Sequence, residues 1–190
     1  MSEVIVITSG KGGVGKTTTT ANLGVGFALR GKRVVLIDTD TGLRNLDLLL
    51  GLENRIMYDL IDVTEGRVPF KKALVRHKKH DSLYLLPTSQ TKDKAAVNPE
   101  QMTALCNELA KDFDYILIDC PAGIEQGFKT AIAAADQAIV VTIPEISAVR
   151  DADKIIGELG RAEKGDIKLI VNRIRPQMVK KGDMLAMEDI

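Results

Sequence analysis

Short runs of apolar, mostly β-branched residues alternate along the chain with longer segments of helical character. Six such runs predict strands, at residues 4–7, 33–38, 82–86, 115–119, 138–143 and 167–171. The runs lack polar alternation, which is typical of parallel strands covered on both faces. The repeated strand–helix order therefore predicts an α/β fold with one doubly wound, mostly parallel sheet flanked by helices.

Helical patterns fill most of the intervals between these strands, at residues 16–30, 98–112, 125–135 and 147–161. Gly31 and Lys32 are expected to close the first helix. Asn98 is expected to cap the second, with Pro99 at its first helical position. A further helix is predicted to open at residues 183–185. No repeat or linker divides the sequence, which predicts a single domain over residues 1–190.

The composition is that of a globular domain, with 190 residues of which 45% are hydrophobic. Basic and acidic residues number 26 each, so the formal net charge of +0 argues against a nucleic-acid partner bound by bulk charge. Cys106 and Cys120 lack the spacing of a metal knuckle or a redox pair, and we expect two reduced thiols in a cytoplasmic protein.

Neither a secretory leader nor a membrane span is expected from the apolar pattern. Residues 1–3 lead directly into the first apolar run, without a basic lead and a longer hydrophobic region. No stretch approaches the ~18 apolar residues of a membrane-spanning helix. Any membrane contact is therefore expected to be peripheral.

A glycine-rich segment joins the first strand to the first helix. Residues 10–17, Gly-Lys-Gly-Gly-Val-Gly-Lys-Thr, satisfy the phosphate-loop pattern G-x-x-x-x-G-K-[ST] in the context that the pattern requires. Glycines let the backbone wrap around phosphate oxygens, and the helix adds its positive end. Lys16 is predicted to contact the β- and γ-phosphates and the Thr17 hydroxyl to ligate Mg²⁺, which indicates ATP with magnesium.

The same glycines also satisfy G-x-G-x-x-G, and Asp38 stands where a dinucleotide site places its ribose-binding acid. A nicotinamide-dependent oxidoreductase is therefore an alternative. Lys16 and Thr17 follow the last glycine immediately, which a dinucleotide site does not require. Asp40 and Asp119 add carboxylates at strand ends, as a magnesium–triphosphate site needs. These features favour ATP.

Asp119 closes an apolar strand in the Walker B arrangement, in which a strand delivers one acid to the metal site. An ordinary strand-end aspartate that caps the next turn is the alternative. Residues 121–123, Pro-Ala-Gly, are predicted to form a mobile loop that senses the γ-phosphate.

A second lysine, Lys11, makes the loop more specific. The sequence at residues 11–18 resembles the deviant Walker A loop of the MinD/ParA ATPases, and blocks at 37–47, 86–93, 119–125 and 144–153 are similar to the MinD branch of that family. The resemblance covers essentially the whole chain. It implies that Lys11 reaches across a dimer to the ATP of the partner copy.

The resemblance also implies a set of site residues. Lys11, Lys16 and Asp40 are assigned to catalysis, with Asp40 orienting the attacking water. Thr17, Asp38 and Asp119 are assigned to the Mg²⁺ site. Nucleotide binding is assigned to Gly10, Lys11, Gly12, Gly13, Val14, Gly15, Lys16, Thr17, Thr18, Asn172 and Arg173. The last two correspond to the family's adenine-recognising pair; without the resemblance, Asn172 is a strand-end cap.

The function implied is an ATPase that forms ADP and phosphate and switches between assembly states to place the cell or plastid division site. In the family, ATP-bound homodimers bind the inner membrane from the cytoplasm, recruit MinC against the FtsZ ring and leave when MinE stimulates hydrolysis. Plastid relatives act in the stroma. Residues in the segments that face MinC or MinE are Arg44, Asn45, Ser147, Arg150, Asp151 and Asp153. Ordinary solvated charges are the alternative for this set.

Family members continue past the position of Ile190 with further strands and end in a basic amphipathic helix that lies on the bilayer. We expect residues 1–190 to lack these segments and to bind membranes poorly alone. A ParA-like DNA-partitioning factor is the alternative function, and it would need a basic face with salt-dependent DNA affinity. The basic run at residues 71–79, with His77 and His80, is expected to be solvated rather than a metal or anion site.

Overall fold

A computed structural model describes residues 2–40, 45–89 and 97–190. It contains a seven-stranded sheet with the strand order β3-β4-β2-β5-β1-β6-β7. The strands are β1 (Glu3–Thr8), β2 (Val34–Asp38), β3 (Val75–Arg76), β4 (Leu83–Leu86), β5 (Tyr115–Asp119), β6 (Gln137–Thr142) and β7 (Ile167–Val171). Only β3 runs antiparallel to its neighbour β4; the other pairings are parallel. The predicted α/β architecture is confirmed.

Helices cover both faces of the sheet. They are α1 (Lys16–Leu29), α2 (Leu46–Leu50), α3 (Leu60–Thr64), α4 (Phe70–Ala73), α5 (Pro99–Leu109), α6 (Gln126–Ala133), α7 (Ile146–Arg161) and α8 (Pro176–Lys181), with 3₁₀ turns at Glu53–Arg55 and Met187–Asp189. Among the described residues, none of these helices has both the length and the apolar character that crossing a bilayer requires.

Two hydrophobic cores lie on opposite faces of the sheet. In β1, Val4 and Val6 belong to one core, whereas Ile5 and Ile7 belong to the other. Successive side chains of a strand point to opposite faces, so a strand buried on both faces must be apolar at every position. This double burial explains why the strands show no polar alternation.

All six predicted strands are present, with ends that differ from the predicted ones by one residue at most. The predicted cap of α5 is also confirmed. Asn98 Oδ1 accepts a hydrogen bond from the Gln101 N–H at 2.8 Å, and Gln101 Oε1 accepts one from the Asn98 N–H at 3.0 Å. This reciprocal capping box fixes the start of the helix.

The prediction of a helix opening at residues 183–185 is wrong. The helix in this region is α8, and Gly182 ends it with φ of +77°. A left-handed glycine is a common helix terminator because it lacks the Cβ clash of other residues. The edge strand β3 and the short helices α2, α3, α4 and α8 were not predicted.

The carboxyl ends of three central strands meet at one edge of the sheet. Asp38, at the end of β2, is the register partner of Asp119, at the end of β5, and Asp119 also pairs with Ile7 of β1. The loop after β1 therefore emerges beside two carboxylates. Ligands of doubly wound sheets bind at this edge.

Candidate functional site

The phosphate-loop residues form the turn that connects β1 to α1. Gly13 and Gly15 adopt φ values of +76° and +105°, a region in which side chains other than glycine are strained. Gly15 is the residue before α1, and no side chain caps that helix. The first-turn N–H groups of α1 are consequently available for an anion, in keeping with the predicted phosphate role.

An open pocket of about 490 Å³ lies over this turn, a volume usual for small-molecule sites. It brings the loop together with Asp40 and Arg173. Its lining residues are Ser9, Gly12, Gly13, Gly15, Lys16, Thr17, Thr18, Asp40, Asn45, Leu48, Leu49, Ala122 and Arg173. Val14 does not line the pocket, because its side chain is buried in one of the two cores. Only the backbone of Val14 is therefore placed to serve the predicted site.

Beneath the pocket, Lys16 forms a buried ion pair with Asp119. The distance from Nζ to Oδ1 is 3.5 Å, and the two side chains are 9% and 1% exposed. Burial raises the pKa of the Asp119 carboxyl, whereas Lys16, Thr17 and then Thr20 act to lower it. The Thr20 hydroxyl lies 3.2 Å from Asp119 Oδ1. Thr20 is a site residue that the sequence patterns did not reveal.

Asp38 is the second buried carboxyl at this edge. Burial, followed by the nearby charge of Asp119, raises its pKa to about 8, although the N–H of Asp40 donates to Asp38 Oδ1 at 3.0 Å. Two adjacent buried carboxyls disfavour joint ionisation, and a divalent cation would relieve that conflict. With the Thr17 hydroxyl they supply the oxygen donors that Mg²⁺ prefers, so the residues fit the predicted ion.

Within the described ranges, no group of three or more histidine, cysteine or acidic side chains is arranged to hold a metal by itself. His77 and His80 stack on each other, with ring centroids 4.9 Å apart. A magnesium–nucleotide site does not need a complete protein cage, because phosphate oxygens and water complete the coordination sphere. The expected roles of Asp38, Asp119 and Thr17 therefore stay compatible with the structure.

Lys11 turns away from the pocket of its own chain. Its ammonium lies 3.2 Å from Glu145 Oε2 and 3.3 Å from the hydroxyl of Ser147, at the start of α7. The Lys11 and Glu145 side chains are 42% and 57% exposed. Exposed ion pairs contribute little to stability, so redirecting this lysine costs little. Its role in a partner's site stays a prediction.

Asn172 and Arg173 follow the edge strand β7 and contact the backbone of the phosphate loop. Asn172 Nδ2 donates to the carbonyl of Val14 at 2.9 Å, and Arg173 Nη2 donates to the carbonyl of Gly13 at 2.7 Å. A Cβ at Gly15 would lie 2.3 Å from Asn172 Nδ2. The loop and the end of β7 therefore fit each other closely. The predicted adenine contact of this pair stays a prediction.

The predicted partner-facing residues fall into two places. Arg44 lies outside the described residues, while Asn45 precedes α2 and lines the pocket. The other four lie on α7: Ser147, Arg150, Asp151 and Asp153. Asp151 forms an ion pair with Lys154 at 3.2 Å, and its backbone packs against Gly10. This contact connects α7 directly with the phosphate loop.

Comparisons with known proteins give a consistent result. The AAA-domain family matches residues 2–170. The chain is 61% identical to the septum site-determining protein MinD of Bacillus subtilis over 192 residues, which cover 100% of this chain and 72% of that protein. It is 60% identical to MinD of Synechocystis, covering 100% of this chain and 71% of that protein.

Solved structures agree with the sequence comparison. A MinC:MinD cell division protein complex from Aquifex aeolicus is similar with a TM-score of 0.91 and 54% identity, over 99% of this chain and 75% of that one. MinD from Pyrococcus horikoshii, complexed with Mg-ADP, is similar with a TM-score of 0.83 and 33% identity, over 95% of this chain and 77% of that one.

Proposed function

The chain belongs to the MinD family of septum site-determining proteins, and from that premise we propose that it is an ATP-dependent switch ATPase in division-site placement. The observation that carries the proposal is the buried group of Lys16, Asp119 and Asp38 beneath a phosphate loop. This arrangement has the cationic and acidic groups that a magnesium–triphosphate substrate requires.

ATP binding is proposed to use the loop backbone and Lys16. The N–H groups at the start of α1 and the positive end of that helix attract the phosphates. Lys16 adds a point charge from a side chain that is only 9% exposed, and burial strengthens electrostatic attraction. Asn172 retains one amide hydrogen and one carbonyl lone pair beyond its present bonds, which suits the adenine edge.

Hydrolysis is proposed to yield ADP and inorganic phosphate, with Asp40 as the residue that accepts a hydrogen bond from the attacking water. Asp40 lines the pocket close to Lys16 and Thr17. Thr17, Asp38 and Asp119 would hold Mg²⁺, which when bound neutralises charge that develops on the phosphate oxygens. Such positioning and charge stabilisation account for most of the catalysis in phosphoryl transfer.

The switch itself is proposed to be a nucleotide-dependent homodimer in which Lys11 enters the partner's site. Two observations support it: Lys11 lies outside its own pocket, and its contacts with Glu145 and Ser147 are exposed. Ala122 lines the pocket, and the Gly123 N–H donates to the Ser9 carbonyl at 3.0 Å, which supports a sensing role for residues 121–123. A change at the γ-phosphate can reach α7 through these contacts.

MinC and MinE are the proposed partners. The ATP-bound dimer would recruit MinC, and MinE would stimulate ATP hydrolysis and release of the dimer. A MinC:MinD complex exists among the similar structures. The proposed contact surface includes Arg150 and Asp153, which are exposed on α7; the same helix bears Ser147, one of the two residues that hold Lys11. We propose a cytoplasmic location for this cycle, and we expect residues 1–190 alone to bind the membrane poorly.

The test is phosphate release from ATP with magnesium by the wild-type chain and by two lysine variants. Lys16→Ala should lower the rate by ~10²-fold or more, because it removes preorganised charge stabilisation. Lys111→Ala is the matched control, since Lys111 is an exposed lysine that pairs with Glu108 and does not line the pocket. Equal rates for the two variants would contradict the proposed site.

A further inference from the structure

Arg173 has a backbone conformation that arginine rarely adopts, with φ of +61°. Glu163 is the other described non-glycine residue with positive φ, and it follows Ala162 at the end of α7, where left-handed residues commonly terminate helices. Arg173 has no helix end before it, because it follows β7. Strain of this kind persists where surrounding contacts hold the residue, and it often marks a functional position.

The long-range contacts of Arg173 and of its neighbour Asn172 lead to the phosphate loop and to the sheet. Its guanidinium donates to the carbonyl of Gly13 at 2.7 Å, across 160 positions of sequence. The preceding Asn172 donates to the carbonyl of Val14 at 2.9 Å, while its own N–H donates to Thr142 of β6 at 2.8 Å. Two consecutive residues that follow β7 therefore hold two consecutive carbonyls of the loop.

Holding these carbonyls also fixes the donors of the loop. In a trans peptide unit the C=O and the N–H point in opposite directions. The Gly13 carbonyl shares its peptide unit with the Val14 N–H, and the Val14 carbonyl shares its unit with the Gly15 N–H. Within the part of the chain that the structure describes, the Gly15 N–H has no acceptor. The N–H side of these units faces away from Asn172 and Arg173.

We propose that Arg173 is a positioning residue of the phosphate loop, whose guanidinium holds the Gly13 carbonyl so that the loop amides are oriented for phosphate before the nucleotide arrives. The proposal rests on the proposed nucleotide site and deepens it. Donors oriented in advance lose less freedom on binding, which favours affinity. On this account Arg173 acts through the loop on the phosphates, rather than on the adenine base.

Magnesium tripolyphosphate, which has the phosphates of ATP but no base, separates these two roles. Calorimetric titration of ATP and of tripolyphosphate should show that Arg173→Ala weakens both by a similar factor, about tenfold for one charged hydrogen bond. A loss for ATP with none for tripolyphosphate would assign Arg173 to the base and overturn the proposal. Wild-type protein that binds neither ligand would overturn the proposed function itself.

Two variants control for charge and chemistry. Arg173→Lys keeps a cationic donor and should recover most of the lost affinity for both ligands. Arg175→Ala removes another exposed arginine two positions further on, which does not line the pocket, and should leave both affinities unchanged. An equal loss of affinity in Arg175→Ala would mean that the change in net charge causes the effect, and it would overturn the proposal.

A measurement without ligand distinguishes the positioning role from a direct contact between Arg173 and phosphate. The amide order parameters of residues 13–15, from ¹⁵N relaxation, should fall in Arg173→Ala relative to wild type because the loop loses a tether. If the order parameters were unchanged while tripolyphosphate binding weakened, Arg173 would contact phosphate directly and would not be a positioning residue.

Discussion

A methyl group added at Gly10 has no space, and the obstacle is the backbone of α7. A Cβ at this position would lie 2.4 Å from both the carbonyl carbon and the carbonyl oxygen of Asp151, and 2.6 Å from its Cβ. Helix backbone cannot rotate aside as the end of a flexible side chain can. Gly10→Ala must therefore separate the loop from α7. Overpacking of this kind costs about 1–3 kcal/mol of unfolding free energy.

Gly12→Ala is the matched control within the same loop. No atom lies within 4 Å of a Cβ at Gly12, and neither Gly10 nor Gly12 has a positive φ. Urea unfolding of the nucleotide-free protein should place Gly12→Ala within about 0.5 kcal/mol of wild type, as for other uncrowded surface changes. If Gly10→Ala were as stable as Gly12→Ala, the close contact between the loop and α7 would be refuted.

Two further predictions concern buried ionisable groups. Asp38 has a pKa of about 8 in the folded protein against an ordinary value of 3.8, so stability that is present below pH 4 is lost as the pH rises towards 8. Asp38→Asn removes this titration. In thermal unfolding without metal, the free energy of unfolding of Asp38→Asn should exceed that of wild type by an amount that grows from pH 5 to pH 8, to about 1–3 kcal/mol. A difference between the two proteins that does not change with pH would contradict the assignment. Burial raises the pKa of the Cys106 and Cys120 thiols to about 12, so neither should react with a thiol reagent at pH 8 until the protein unfolds, and rapid labelling of the native protein would contradict their burial.

The strands and the phosphate loop were predictable because their signals are local. An apolar run such as residues 115–118 and an eight-residue motif are visible without knowledge of any distant contact. The strand β3 and the helix α4 have 2 and 4 residues, which is too short to show periodicity. Gly182 is the left-handed glycine that ends α8 before residue 183.

Some site residues have no sequence signal because they act through contacts between distant parts of the chain. Thr20 reaches Asp119 over 99 positions, and Glu145 reaches Lys11 over 134. Neither contact leaves a pattern in the sequence, because each depends on how β5 and α7 pack beside the loop. The crowding at Gly10 also depends on α7. The phosphate-loop pattern requires glycine at position 10 and accepts any residue at position 12, but it does not show that the backbone of Asp151 is the obstacle.

The central claim is that two copies share the nucleotide site through Lys11. Light scattering with ATP and magnesium tests it most directly, in an Asp40→Ala background that we expect to bind ATP without hydrolysing it. The Asp40→Ala protein should have the mass of a dimer with ATP and of a monomer without it. Adding Lys11→Ala should leave a monomer that still binds ATP. A dimer that persists without Lys11 would contradict the account.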